Sequence, residues 1–244
     1  MGAFHTTMDG RSLIFDVIII GGGPAGLFTS SSISDKNKKL KVLLIDHQPN
    51  LGKKLSISGS GRCNITHTGD ITDFLENYYE SKNFIKRSIY KFSNKDLLSF
   101  FSTKGILFYN DENGKYFPKS NKASDILNSL INNCKKNGVQ FKTNTEIIEL
   151  KKDRIFKIRT SKGDFSSRFL VLSTGGKSYP FTGSDGTGYN FAKEFGHSII
   201  KPTPGLCSLQ VKNYVFKDLS GISIKNVKVS LKKNKLLRRF IIYS

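Results

Sequence analysis

The sequence predicts an α/β fold in which a parallel sheet, flanked by helices, carries a small antiparallel meander. Three observations predict it. Residues 15–46 read as strand, glycine turn, helix, strand and one acid; residues 123–138 read as an amphipathic helix; residues 169–176 run a further apolar strand into a second glycine turn.

Asp16-Val17-Ile18-Ile19-Ile20 is apolar and mostly β-branched after its acid, with no solvated side, so it predicts a strand buried on both faces. Gly21-Gly22-Gly23-Pro24-Ala25-Gly26 follows as a G-x-G-x-x-G. Gly21 permits the tight turn, Gly23 lets the backbone approach a pyrophosphate, and Gly26 lets the helix lie close to the strand. The phosphate would sit on the N-terminus of the helix that Pro24 and Ala25 begin. Residues 36–39 end that helix in a polar loop, and Val42-Leu43-Leu44-Ile45 forms a second buried strand. Asp46 stands at its end, about 20 residues beyond Gly26, where a carboxylate would accept the hydroxyls of an adenosine ribose. The competing reading is an ordinary glycine-rich turn with Asp46 merely solvated.

Residues 52–66 are dense in small and hydrogen-bonding side chains. Such a loop either brings backbone amides to a ligand, with Arg62 for phosphate and Asn64 or Thr66 for polar ring atoms, or is a surface loop. The aromatics Phe74, Tyr78, Tyr79, Phe84, Tyr90 and Phe92 fall at roughly helical spacing and are expected in the core. Asn94 opens a short helix that Gly105 stops, and residues 106–109 and 115–117 form a hairpin. Ala123, Ile126, Leu127, Leu130, Ile131 and Cys134 follow the i, i+3, i+4, i+7 rule, so Cys134 reads as structural. Residues 146–150, 155–160 and 168–172 make a meander that returns to the parallel sheet. Ser173-Thr174-Gly175-Gly176 then ends the return strand, and a small-residue loop, 177–189, is able to close over a ligand before a helix stopped by Gly196.

At 244 residues the chain is long enough for a substantial core, and its three cysteines fit neither a disulfide framework nor a C-x-x-C pair. A reducing cytoplasm is the expected compartment. No apolar run approaches the ~18 residues of a membrane span. The net charge of +20 is spread over runs such as 36–41, 135–136 and 232–239, which argues against nucleic-acid binding as the main function. Residues 1–14 are polar and aperiodic and are expected to be a flexible leader.

With these pieces placed, the sequence resembles the YhiN/BaiN-type flavoproteins. The resemblance rests on GGGPAG (21–26), GKKLSISGSGRCNITH (52–67), GKYFPKSNKASDIL (114–127) and TGGKSYPFTGSDGTGYNFAKEFGH (174–197). It implies a Rossmann-like FAD-binding domain of the glutathione-reductase type over residues 15–201, and the start of an inserted β-rich domain over 202–244. It implies further that Gly21, Gly23, Pro24, Ala25 and Gly26 line the pyrophosphate and Asp46 the ribose. Gly59, Gly61, Arg62, Cys63, Asn64, Thr174, Gly175 and Gly176 become cofactor neighbours on the same grounds. The implied activity is two-electron transfer between FAD and a small-molecule substrate, with NAD(P)H as donor. A flavin-dependent tRNA-modifying or RNA-binding protein is the alternative from another class, and a non-catalytic fragment with residual nucleotide binding is a third reading. Cys63, beside Arg62, invites a redox role, but a small residue chosen for packing is preferred. Members of the family are longer, so the far side of the flavin pocket is expected from a segment or second polypeptide beyond Ser244. Leu206, Leu209, Val211, Val227, Val229 and Leu231 would then lie on unpaired strands.

Overall fold

The computed structural model describes residues 14–205, 228–233 and 236–241, the last two segments by their backbone. Two compact units divide between Ile200 and Lys201. The first holds the glycine turns.

Strand β1 (Ile14–Ile20), helix α1 (Pro24–Lys36) and strand β2 (Val42–Ile45) form the expected βαβ unit, with β1 and β2 parallel. The return strand β9 (Gly163–Leu172) lies parallel to β1 on its other side. Its first half pairs antiparallel with β8 (Phe156–Thr160), and β8 pairs with β7 (Ile147–Lys152), so a single long strand joins the parallel sheet to the meander. A strand that the sequence did not announce, β6 (Gln140–Lys142), extends β2 in parallel. Three residues are too few to display a period. The sheet order is therefore β6-β2-β1-β9-β8-β7.

The apolar runs are continuous because the central strands are covered twice. Val17, Ile19, Val42 and Leu44 face α1 and helix α6 (Ala123–Lys136), which presents Ile126, Leu130 and Cys134. Ile18, Ile20, Leu43 and Ile45 face the other layer, where Leu150, Ile158 and Phe165 meet Phe191 of helix α7 (Thr187–Glu194). Each fully buried side chain of this kind contributes roughly 1.5–3 kcal/mol relative to exposure.

Between β2 and α6 the chain makes four helices and a small sheet. Residues 52–66 are not a continuous loop: α2 (Lys53–Ile57) and a 3-10 turn (Ser58–Gly61) occupy most of them. Helices α3 (Ile71–Glu76), α4 (Lys82–Lys91) and α5 (Asn94–Ser102) follow. Ser93, not Asn94, caps α5: its hydroxyl accepts from the Asp96 amide while the Asp96 carboxylate accepts from the Ser93 amide. Strands β3 (Thr66–His67), β4 (Phe108–Asn110) and β5 (Lys115–Pro118) form an antiparallel sheet in the order β3-β5-β4, which includes the expected hairpin.

The aromatic stretch departs from expectation. Phe74 is half-buried, but Tyr78, Tyr79, Phe84, Tyr90 and Phe92 are exposed. A 3-10 turn at Tyr79–Ser81 breaks the segment between α3 and α4, so the aromatics do not line one stripe. The inward positions of α4 go to Ile85 and Ile89 instead.

In the second unit, β10 (Lys228–Lys233) and β11 (Leu236–Ile241) form an antiparallel hairpin with Val229 opposite Phe240 and Leu231 opposite Arg238. The expectation of unpaired strands is thus corrected at Val229 and Leu231; Leu206, Leu209, Val211 and Val227 lie outside the described residues.

One polar cluster ties the helical layer together. The Asp35 carboxylate, at the end of α1, accepts from Lys104 at 2.9 Å, Asn133 at 2.9 Å and Asn137 at 2.7 Å. Burial opposes its ionisation, but these hydrogen bonds and the Lys104 charge outweigh it and hold the carboxyl below its usual range. A depressed pKa stabilises the fold above the unfolded-state value of about 3.9 and ceases to do so as pH falls through the folded value. Asp35→Asn is therefore expected to lower unfolding stability by about 1 kcal/mol near neutral pH, a figure reduced for solvent screening. Denaturant unfolding from pH 7 downward checks this: the gap should narrow below about pH 4, and a pH-independent gap would show that the ion is not its source.

Candidate nucleotide site

The carboxyl ends of β1, β2 and β9 meet at one point. The Gly21 amide donates to the Ile45 carbonyl at 2.8 Å, and the Ser173 amide donates to the Ile20 carbonyl at 2.8 Å. The Ser173 hydroxyl lies 2.9 Å from both the Ile20 and the Gly21 carbonyl oxygens. Asp46 closes the junction, its carboxylate accepting from the Gly22 amide at 2.5 Å and the Gln48 amide at 2.7 Å. Each of its oxygens retains a further lone pair for a ligand hydroxyl.

The three fingerprint glycines are required for different reasons. Gly21 has φ +104°, and a Cβ there would overlap the Ser173 carbonyl. A Cβ on Gly26 would overlap the Gly21 carbonyl, so helix and turn touch through bare backbone. Gly23 differs: its φ of −75° and ψ of −174° suit any residue, and a Cβ would meet no described atom within 4 Å. The fold itself does not need glycine there; what glycine leaves open is the wall of a cavity.

That cavity measures about 440 Å³, within the range of small-molecule sites. Gly21, Gly23, Pro24 and Ala25 form one wall, Asp46 the end of β2, and Thr174 and Gly175 the opposite turn. Helix α1 starts on this cavity with no side-chain cap and no acid in its first turn, leaving its positive end for an anion. Loop 177–189 contributes Thr182, Gly183, Ser184 and Asp185 and is held by a 2.7 Å hydrogen bond from Lys53 Nζ to the Phe181 carbonyl. The Asp185 carboxyl is held below its usual range by hydrogen bonds from the Thr187 hydroxyl and amide, assisted by the His47 charge. Residues lining the cavity that the sequence did not single out include His47, Gln48, Lys53, Thr145 and Glu146. The polar run after Asp46 was the available signal for the first two. Thr145 and Glu146 reach the cavity through β6, because the Thr145 amide donates to the Asp46 carbonyl at 3.0 Å.

The remaining candidates sit elsewhere. Gly26 lies behind the cavity wall, and Gly176 lies against Tyr189. Gly59, Gly61, Arg62, Cys63 and Asn64 form a separate turn whose residues do not line the cavity. Arg62 stacks over the Phe117 ring at 4.4 Å, and Cys63, at φ +62°, is buried in the helical-layer core. Burial raises the Cys63 thiol pKa, with a hydrogen bond involving Ser58 opposing it, and pushes Cys134 up to about 12. Among the described residues no group of acids, histidines and cysteines is arranged to hold a metal, and no helix is long and apolar enough to cross a membrane.

The glycine turn, the acid on the neighbouring strand and the returning strand define a Rossmann-like α/β protein. The sequence matches the HI0933-like protein Rossmann domain over residues 15–239, and the chain belongs to that family. A 3-dehydro-bile acid delta(4,6)-reductase from Clostridium scindens is 30% identical over 84% of this chain and 49% of its own length. A ribosomal RNA dihydrouridine synthase from Escherichia coli is 30% identical over 87% of this chain and 53% of its own length. The chain thus spans about half the length of these relatives. Among solved structures, the E. coli quinol fumarate reductase subunit FrdA shares the fold, with a TM-score of 0.52 at 13% identity over 67% of this chain and 33% of that one.

Only thiolates react readily, so raised thiol pKa values and burial make both described cysteines unreactive. With Cys207 replaced by serine, the folded protein is expected to leave Cys63 and Cys134 unmodified by a thiol reagent near pH 8, and to expose both on denaturation. Rapid labelling of Cys63 in the folded protein would overturn its structural assignment.

Proposed function

We propose that this chain forms the FAD-binding part of an oxidoreductase that transfers two electrons to a small unsaturated organic substrate. The supporting observation is the side-chain-free wall at Gly23, which faces a cavity ending at Asp46 and which the fold itself does not require. The amides at the start of α1 would bind the pyrophosphate and Asp46 the adenosine ribose, while Thr174 and Gly175 approach from the other side. Loop 177–189 would shield the phosphates from water. Bound FAD would supply hydride chemistry, with NAD(P)H as electron source. Both relatives' names describe hydrogen added across a carbon–carbon double bond, which favours an alkene conjugated to a carbonyl as the acceptor. The turn at 59–64 lies outside the cavity, and we assign it to the part of the long cofactor that extends beyond the adenosine half.

A second reading, reduction of uridine in RNA, is favoured by one further observation: helix α4 concentrates Lys82, Lys86, Arg87 and Lys91 within ten residues. The expectation drawn from dispersed charge did not include this run.

The experiment is a FAD titration of purified wild-type protein and Gly23→Asn. Asparagine is a favoured N-cap whose side chain would take up an α1 amide and fill the open wall. Gly23→Asn should keep or raise the unfolding temperature and weaken FAD binding by about tenfold or more, equivalent to about 1.4 kcal/mol. Equal FAD affinity in the two proteins, or no flavin uptake by wild type, would contradict the proposal.

A further inference from the structure

Helix α4 is built unlike the helices that pack on the sheet. None of its residues is buried, and its inward positions, Ile85 and Ile89, are only half-covered. Phe84 is 88% exposed and Tyr90 52%, and Tyr79 in the preceding turn is 83% exposed. Three large rings in water forgo the burial that stabilises such side chains elsewhere in the fold. The cations around them are equally uncommitted. Lys82 pairs with Glu76, but Lys86, Arg87 and Lys91 make no ion pair among the described residues. Phe84, Arg87 and Lys91 follow an i, i+3, i+7 spacing and share a face; Lys86 and Tyr90, at i and i+4, lie beside them.

We infer that this outward face of α4 is a docking surface for single-stranded RNA, with Phe84 and Tyr90 stacking on bases and Lys86, Arg87 and Lys91 meeting phosphates. The inference deepens the second reading above and rests on it. Interleaved rings and cations are what a flexible polyanion with planar bases requires, since stacking tolerates any base and the cations follow the backbone. An anionic membrane fits less well: an interfacial helix buries a continuous apolar face, whereas here charges separate the exposed rings and the isoleucines turn inward. A second copy fits less well too, because a two-fold contact would bring unpaired cations against their like.

The test measures fluorescence anisotropy of a labelled, mixed-sequence single-stranded RNA of about 20 nucleotides with the full 244-residue chain, between about 50 and 200 mM salt. Wild type should bind, and Lys86→Ala/Arg87→Ala/Lys91→Ala should bind more weakly, with a log–log salt slope shallower by about 2. Phe84→Ala/Tyr90→Ala should lose about tenfold or more while keeping the slope. Unfolding temperature and FAD affinity, measured on the same variants, should match wild type, which separates failure of the docking surface from failure of the cofactor site. Absence of RNA binding by wild type, or unchanged affinity and slope in the variants, would overturn the inference. So would binding to phosphatidylserine-containing vesicles that the substitutions abolish while RNA binding persists, or a dimer that Phe84→Ala dissociates.

Discussion

The first unit depends on one junction, where the carboxyl ends of three parallel strands are stitched together by Gly21, Gly22, Asp46 and Ser173. Each bond there uses a backbone group that a turn would otherwise leave unpaired. The junction fixes the direction in which α1 leaves the sheet. It thereby fixes where the positive end of that helix points and where the cavity opens. Asp46 serves two ends at once: its carboxylate holds the Gly22 amide, and its position at the close of β2 sets it on the cavity.

The two-layer cover of the sheet makes that junction rigid. Val17 and Ile19 of β1 pack on α1 and α6, and Ile18 and Ile20 on the meander and α7, so a change of register would disturb both cores together. The helical layer adds the Asp35 cluster, which ties α1 and α6 to the turn after α5. The other layer supplies Phe191, which belongs both to its core and to the cavity lining. Packing and site therefore share residues, and loop 177–189 is anchored at its far end by the helix that completes the core.

Much of this was legible in the sequence because its signals were local. The run 16–20, the glycine spacing at 21–26, Asp46 and the stripe of α6 each need only a short window, and each falls where expected. The residues that escaped notice depend on long-range pairing. Strand β6 is defined by its partner β2, and Thr145 and Glu146 enter the cavity only because that pairing exists. The aromatic stretch misled for a different reason: helical spacing puts side chains on one stripe only if the helix is continuous, and the turn at 79–81 divides this one. Gly23 and Gly26 look alike as letters; only the surrounding atoms separate a glycine that the packing demands from one it does not.

The charge of the chain gains meaning from the same contrast. Most of its cations are spread thinly, yet the first turn of α1 is free of acids and α4 gathers four basic residues beside exposed rings. The central claim concerns the first of these places, and the most direct measurement is an experimental structure of the chain soaked with FAD. The account predicts pyrophosphate density against the backbone at Gly23 and the α1 N-terminus, with the adenosine ribose on Asp46; density at another site, or an empty cavity at saturating FAD, would contradict it.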